Sequence, residues 1–214
     1  MILFDLDGTL VDTAPDLAYA LNLQRERHGL EALPLDLIRP FASHGSKGLL
    51  KIGFNLQAQD AAFESMRTEY LNLYDEVFAR SPVLFDGIHE LLSFIEANNI
   101  PWGIVTNKPR RFSAPLLSAM GLDARVACLV CGDDAALPKP APDTLLMACQ
   151  QTKVEPARCF YVGDAARDIE AGNAAGMQTV VALYGYLDDT DQPMEWGADF
   201  SIQHPAELIP LISK

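Results

Sequence analysis

The stretch Ile2-Leu3-Phe4-Asp5-Leu6-Asp7-Gly8-Thr9-Leu10-Val11-Asp12 decides how the rest of the chain is read. Ile2–Leu6 is an apolar run of the kind that forms a strand covered on both faces. Asp5 and Asp7 stand two apart where the run ends, so their side chains can enter the same crevice, and Gly8 lets the backbone turn away at once. In a parallel sheet the carboxyl ends of the strands form the ligand crevice. Two carboxylates so close repel unless a metal ion neutralises one or a proton sits on the other. A plain turn into a helix accounts for Gly8 and Thr9. It does not explain why an apolar strand should end on two acids.

Similar runs follow at Trp102–Val105, Cys128–Val130, Phe160–Val162 and Thr179–Leu183, with a weaker one at Phe200–Ile202. Helical patterns lie between them, at Gly87–Asn98, Ser113–Met120, Asp143–Gln151 and Asp168–Ala175, and a last one is expected at Ala206–Ile212. Ile88, Leu91, Leu92 and Ile95 mark one face of the first. Strand and helix in alternation predict an α/β fold with a doubly wound parallel sheet. Residues 14–81 break the alternation, because only helical periodicity is found there, with Phe63, Met66, Tyr70, Leu73 and Val77 as a stripe that needs partner helices. The expected organisation is therefore a core of residues 1–13 and 82–214 carrying an inserted helical bundle at 14–81, with Thr13–Pro15 and Ser81–Pro82 as its hinges.

Hydrophobic residues make up 49% of the 214-residue chain and charged ones 21%, enough to bury a core. Asp and Glu number 29 against 16 Lys and Arg, and the net charge of −13 repels nucleic-acid backbones and anionic lipid surfaces alike. The same field repels a small anion, so a phosphate site here must carry a cation of its own. No window approaches the ~18 apolar residues of a membrane span, and no basic leader precedes an apolar run, so a soluble cytoplasmic protein is expected. Cys128 and Cys131 form a C-x-x-C, but an odd separation in a strand sends them to opposite faces. Cys149 and Cys159 stand apart in sequence with no partner at ligand spacing, so all four are read as plain thiols.

Three further strand ends carry complementary groups. Trp102–Val105 runs into Thr106-Asn107, a hydroxyl and an amide suited to phosphate oxygens, or alternatively a helix cap. Lys139 lies between Pro138 and Pro140, which fix its backbone path as suits a fixed positive charge, although a solvated lysine is the common case. Phe160–Val162 runs into Gly163-Asp164-Ala165-Ala166-Arg167-Asp168, again two acids at a strand end. Asp168 could simply favour the first turn of the next helix; Asp164 has no such explanation.

In order and spacing, Asp5-x-Asp7-Gly8-Thr9, Thr106-Asn107, Lys139-Pro140 and Gly163-Asp164-x-x-x-Asp168 resemble the four motifs of the haloacid dehalogenase-like hydrolases, over most of the chain. The insertion resembles the helical cap of the phosphoglycolate phosphatase-like group. Val105–Pro109, Tyr184-Gly185-Tyr186 and Trp196–Asp199 are similar to runs in bacterial members that act on N-acetylmuramic acid 6-phosphate. Ala165 departs from the pattern, since many relatives have a small polar residue there. The resemblance implies a phosphatase that hydrolyses a small phosphorylated metabolite, either N-acetylmuramic acid 6-phosphate or 2-phosphoglycolate. It implies Asp5 as nucleophile and Asp7 as acid and base. Mg²⁺ is then held by Asp5, the Asp7 carbonyl and Asp164, with Asp168 as outer ligand or orienting group, while Thr106, Asn107 and Lys139 hold phosphate oxygens.

Two rivals stay open on the residues alone. A receiver-like signalling module also keeps acids, a Thr and a Lys at strand ends, but needs no acid two residues after the nucleophile and no helical insertion. A phosphosugar mutase on the same scaffold differs mainly in how water is excluded. Within the insertion, Arg39–Gly48 is Gly-rich and basic, so Ser43, His44 and Lys47 are candidates to read a substrate carboxylate. Without the resemblance the segment reads as a solvated loop.

Overall fold

Strands form where the apolar runs lie, in the computed structural model that describes residues 1–213. They are β1 (Ile2–Phe4), β2 (Val11–Asp12), β3 (Val83–Leu84), β4 (Trp102–Val105), β5 (Leu129–Val130), β6 (Phe160–Gly163), β7 (Gln178–Ala182) and β8 (Phe200–Ile202). Six of these make one sheet in the order β5-β4-β1-β6-β7-β8, with every pairing parallel. β1 is flanked on both sides, Ile2 pairing with Trp102 and Phe160 and Phe4 with Ile104 and Val162. Ile2, Leu3 and Phe4 are at most 1% exposed, which is why the run carries no polar alternation. The chain builds outward from β1 to β4 and β5, then crosses to β6 on the other side. The winding direction thus switches at β1, and the crevice of such a sheet opens at the carboxyl end of that strand.

The helices are α1 (Ala14–Arg27), α2 (Leu35–Ile38), α3 (Gly45–Phe54), α4 (Phe63–Val77), α5 (Ile88–Ala97), α6 (Arg110–Ala119), α7 (Asp143–Thr152), α8 (Ala166–Ala175) and the short α9 (Ile209–Ile212). The expected C-terminal helix is smaller than its pattern, because Pro205–Leu208 forms a 3-10 turn before α9. By its internal contacts the chain divides into two compact units, Met1–Val11 with the residues from Leu84 onward, and Asp12–Val83. β2 and β3, too short to leave a pattern in sequence, pair as a ribbon where the chain leaves the first unit and returns to it.

In the second unit α1 packs against α4, whose Phe63, Tyr70, Leu73 and Val77 are buried. Asp16, in the first turn of α1 where an acid suits the helix dipole, accepts the N–H groups of Arg80 at 2.9 Å and Ser81 at 3.3 Å. The segment expected as a loop is helical instead: Arg39–His44 is a 3-10 turn that runs directly into α3. Its glycines serve close packing, since a Cβ on Gly48 would stand 2.8 Å from the Phe41 carbonyl oxygen.

All four cysteines are buried free thiols. Cys149 and Cys159, apart in sequence, are neighbours in space, their Sγ atoms 3.9 Å from each other. Burial pushes the Cys128 and Cys131 thiols up to about 11 and Cys149 to about 12. Such thiols are poor nucleophiles and poor ligands at neutral pH.

After β5, Asp134 accepts the Cys131 N–H at 2.7 Å and Arg110 Nε at 2.7 Å, while Arg110 also donates to the Leu129 carbonyl at 2.8 Å. The bond from Arg110, against the opposing effect of burial, holds the Asp134 carboxyl below its ordinary range. A carboxylate with a lowered folded pKa stabilises above its unfolded value, about pH 4, and loses that contribution as pH falls through the folded pKa. With the Asp134 side chain 18% exposed, Asp134→Asn is expected to cost about 1 kcal/mol at pH 7. Thermal melts should show a Tm lower by roughly 2–4 °C. The gap should narrow progressively as melts are repeated at pH values falling below the ordinary carboxylate range; a gap that stays constant with pH would mean the carboxylate charge contributes nothing.

Candidate active site

Asp5 follows β1 directly, its N–H continuing the ladder to the Val162 carbonyl at 2.9 Å, so the strand pairing fixes where its side chain enters the crevice. It is 3% exposed. Lys139 Nζ lies 3.0 Å from Asp5 Oδ1. An ammonium has three protons, and those of Lys139 go to the Val105 carbonyl at 3.1 Å, the Tyr161 hydroxyl at 2.6 Å and Asp168 Oδ1 at 2.6 Å. Asp5 Oδ1 therefore receives the field of Lys139 but no proton, and is a buried oxygen with no hydrogen bond. Burial pushes the Asp5 carboxyl up, and the opposing pull of Lys139 does not cancel it. Asp168 shows the opposite balance: burial raises it, but Lys139 and then Arg167 outweigh that and hold it low. One lysine serves two acids unequally, which leaves Asp5 the one short of positive charge.

Asp164 follows Val162 and Gly163 at the end of β6 and is wholly buried. Its Oδ1 accepts the Thr9 hydroxyl at 3.2 Å and its Oδ2 the Tyr186 N–H at 2.9 Å. Gly8, at φ +85°, lets the chain pass against this carboxylate, where any Cβ would overlap Asp164 Oδ2. Asp168 Oδ2 accepts the Ala165 N–H at 3.0 Å, capping α8. Ala165 offers no side-chain oxygen in return, and the Asp168 N–H goes to the Ala165 carbonyl at 2.9 Å. Both oxygens of Asp168 are thus engaged, Oδ1 by the Lys139 ammonium and Oδ2 by the Ala165 N–H.

Asp5, Asp164 and Asp168 each bring a carboxylate oxygen within 4.8 Å of the others'. The donor set is all hard oxygen, and Asp5 Oδ1 is unsatisfied. Both features fit a divalent cation with an affinity for carboxylates, such as Mg²⁺. The Asp7 carboxylate does not join this group: it accepts Lys108 Nζ at 3.1 Å on Oδ1 and 3.3 Å on Oδ2.

Thr106 closes β4 and is 2% exposed; its Oγ1 accepts the Lys108 N–H at 3.2 Å. Asn107 corrects the expectation drawn from its residue type. Its amide is engaged with the Lys139 backbone, donating to the Lys139 carbonyl at 2.8 Å and accepting the Lys139 N–H at 2.9 Å. That reciprocal pair clamps the lysine's main chain, so the Asn107 side chain positions Lys139. Ser43, His44 and Lys47 belong to the second unit, at the junction of the 3-10 turn with α3. Ser43 is half-buried, whereas His44 and Lys47 are exposed.

Several residues of the site were given no role from sequence. Lys108 and Arg167 adjoin the motif residues, and Arg167 lies within electrostatic reach of Asp168, Asp5 and Asp164. Tyr161 donates to the Val105 carbonyl at 2.9 Å beneath Lys139. Tyr184 donates to the Thr9 carbonyl at 3.1 Å, so the run Tyr184–Tyr186 supports Asp164 from outside.

Residues 2–182 match the family model described as haloacid dehalogenase-like hydrolase. The chain is 40% identical over 213 residues to an N-acetylmuramic acid 6-phosphate phosphatase of Pseudomonas aeruginosa, covering 100% of this chain and 94% of the relative. It is 41% identical over 208 residues to a phosphoglycolate phosphatase of Xanthomonas campestris, covering 97% of this chain and 93% of the relative. Among solved structures, a predicted phosphoglycolate phosphatase from Haemophilus somnus superposes with a TM-score of 0.85 at 25% identity, over 99% of this chain and 97% of that one. With a parallel sheet whose central strand ends on Asp5 and Asp7, and with these relatives over its whole length, the chain belongs to the haloacid dehalogenase-like hydrolases, among their phosphatases.

Proposed function

We propose that the protein hydrolyses a small carboxylated phosphomonoester, N-acetylmuramic acid 6-phosphate in first place, by way of a phosphoryl group carried on Asp5. The observation that carries this reading is the Asp5 carboxylate, buried and with Oδ1 free of any hydrogen bond at the strand end where a substrate enters. Asp5, Asp164 and the backbone carbonyl of Asp7 would hold Mg²⁺, with Asp168 behind them, and a cation so held supplies charge neutralisation at the phosphoryl oxygens. Asp5 forms a bond to phosphorus as the bond to the leaving oxygen breaks, and Asp7 gives that oxygen its proton. In the second half Asp7 takes a proton from the water that attacks phosphorus, and the bond to Asp5 breaks. Lys139 and Thr106 hold phosphoryl oxygens as charge shifts. Asp7 is what distinguishes this reading from a receiver-like switch, which has no such group to discharge its phospho-Asp.

The substrate class rests on the relatives, named for two phosphomonoesters that both carry a carboxylate. Residues 14–81 act in this reading as a substrate-specifying cap, with Ser43, His44 and Lys47 as the groups that read the carboxylate. We place the enzyme in the cytoplasm, where free thiols are the expected state; no helix among the described residues is long and apolar enough to cross a membrane.

A panel of phosphomonoesters with released phosphate as readout tests the proposal. N-acetylmuramic acid 6-phosphate should show the highest kcat/KM, and chelation of divalent ions should stop turnover. A higher value for 2-phosphoglycolate would reverse the order of substrates. Conversion of a sugar phosphate to its isomer without phosphate release would make the enzyme a mutase, and turnover undiminished by chelation would remove the metal. For the cap residues, Lys47→Ala should lower kcat/KM about ten- to a hundredfold on a carboxylated ester, the size of one charge-assisted hydrogen bond. On p-nitrophenyl phosphate it should do little. Equal losses on both would assign Lys47 to something other than reading the carboxylate.

A further inference from the structure

The turn that follows β4 spends its side chains on the two acids of the first strand. Asn107 clamps the main chain of Lys139, the lysine beside Asp5. The next residue, Lys108, reaches Asp7 with its ammonium at 3.1 and 3.3 Å from the two carboxylate oxygens. The Lys108 side chain is 7% exposed and that of Asp7 16%. Lysine gives up roughly 2 kcal/mol of rotamer entropy when fixed, so an ordered, buried lysine at a crevice needs a reason. Its main chain is tied down as well: the N–H donates to Thr106 Oγ1 at 3.2 Å, and the carbonyl accepts the Ser113 hydroxyl at 3.3 Å and the Gly132 N–H at 3.4 Å.

We propose that Lys108 is the positioning residue of Asp7. It holds that carboxylate by both oxygens, clear of Asp5, in the one orientation from which it serves the leaving oxygen. The role rests on the acid–base reading of Asp7 given above. The charge pattern supports it. Asp5 and Asp7 repel, being two residues apart, and each has a lysine of its own: Lys139 from the loop before α7, and Lys108 from the turn after β4. Removing Lys108 leaves Asp7 its chemistry but takes away the ammonium that meets both of its carboxylate oxygens. A misplacement of about 1 Å in a reacting group costs up to roughly a hundredfold in rate.

The test uses the leaving group. An alkyl phosphate needs a proton on its departing oxygen, whereas p-nitrophenolate leaves without one, and kcat/KM reports this first half-reaction alone. Lys108→Met should lower kcat/KM for the alkyl ester about ten- to a hundredfold more than for p-nitrophenyl phosphate. Lys108→Arg should recover part of the difference. Asp7→Asn, measured alongside, should show the same bias more strongly, and Lys108→Met should add little to it in the double variant. Should Lys108→Met fail to fold by circular dichroism, Lys108→Gln carries the same comparison. Equal losses on both esters, or no loss, while Asp7→Asn keeps its bias, would overturn the role of Lys108 alone. An Asp7→Asn variant without bias would overturn the acid reading and this inference with it.

Discussion

Asp5→Asn is expected to reduce phosphate release by roughly 10⁴-fold or more, the scale of losing a covalent nucleophile. It should leave Tm unchanged or slightly raised. The near-isosteric amide removes a carboxylate that burial, Asp168 and Asp7 all disfavour. Lys139 loses an electrostatic neighbour but keeps its three hydrogen bonds to Val105, Tyr161 and Asp168. Inactivity together with undiminished stability separates a chemical role from a structural one. Phosphate assays and melts on the same preparation check both halves, and residual turnover above about 1% of wild type would argue against Asp5 as nucleophile.

Lys139→Met should remove activity and stability together. The side chain of Lys139 is fully buried, as is that of Asp168, 2.6 Å away. Taking one partner from a buried ion pair leaves an uncompensated charge and costs about 3–5 kcal/mol. For a chain of this size that corresponds to a fall in Tm of roughly 6–20 °C. The loss is larger than Met's own packing can restore, because the Val105 carbonyl and Tyr161 hydroxyl also lose a donor. Asn107→Ala, which leaves the ammonium in place but frees its main chain, should have a smaller effect of the same sign. A Lys139→Met protein as stable as wild type would show that the Asp5 and Asp168 pair does not need the lysine to stay buried.

What could be read from sequence was set by strand burial and strand ends. Continuous apolar runs announced a sheet covered on both faces, and β1 fits because its three residues have no solvent side. Asp5, Asp7, Asp164 and Asp168 stood out because acids at the ends of such runs have few structural reasons to be there. Partners brought together only by folding were not visible. Nothing in the spacing of Cys149 and Cys159 says that α7 returns its thiol to the residue before β6. Lys108 drew no role of its own from the run Val105–Pro109, since its contact with Asp7 is made only by folding. For Asn107, residue type could not show that its amide is bonded to the Lys139 main chain, a contact made only by folding. The segment Arg39–Gly48 misled for a different reason: glycine signals a loop by its freedom, but Gly48 is there because the 3-10 turn leaves no room for a Cβ.

The central claim, a phosphoryl group passed to Asp5 and then to water, is tested most directly by the stereochemistry at phosphorus. A phosphorothioate monoester whose phosphorus carries sulfur, two different oxygen isotopes and the ester oxygen, hydrolysed in water of the third isotope, yields chiral inorganic thiophosphate whose configuration counts the displacements. Two in-line displacements, one by Asp5 and one by water, predict retention. Inversion would mean a single attack by water on the substrate, and would contradict the account.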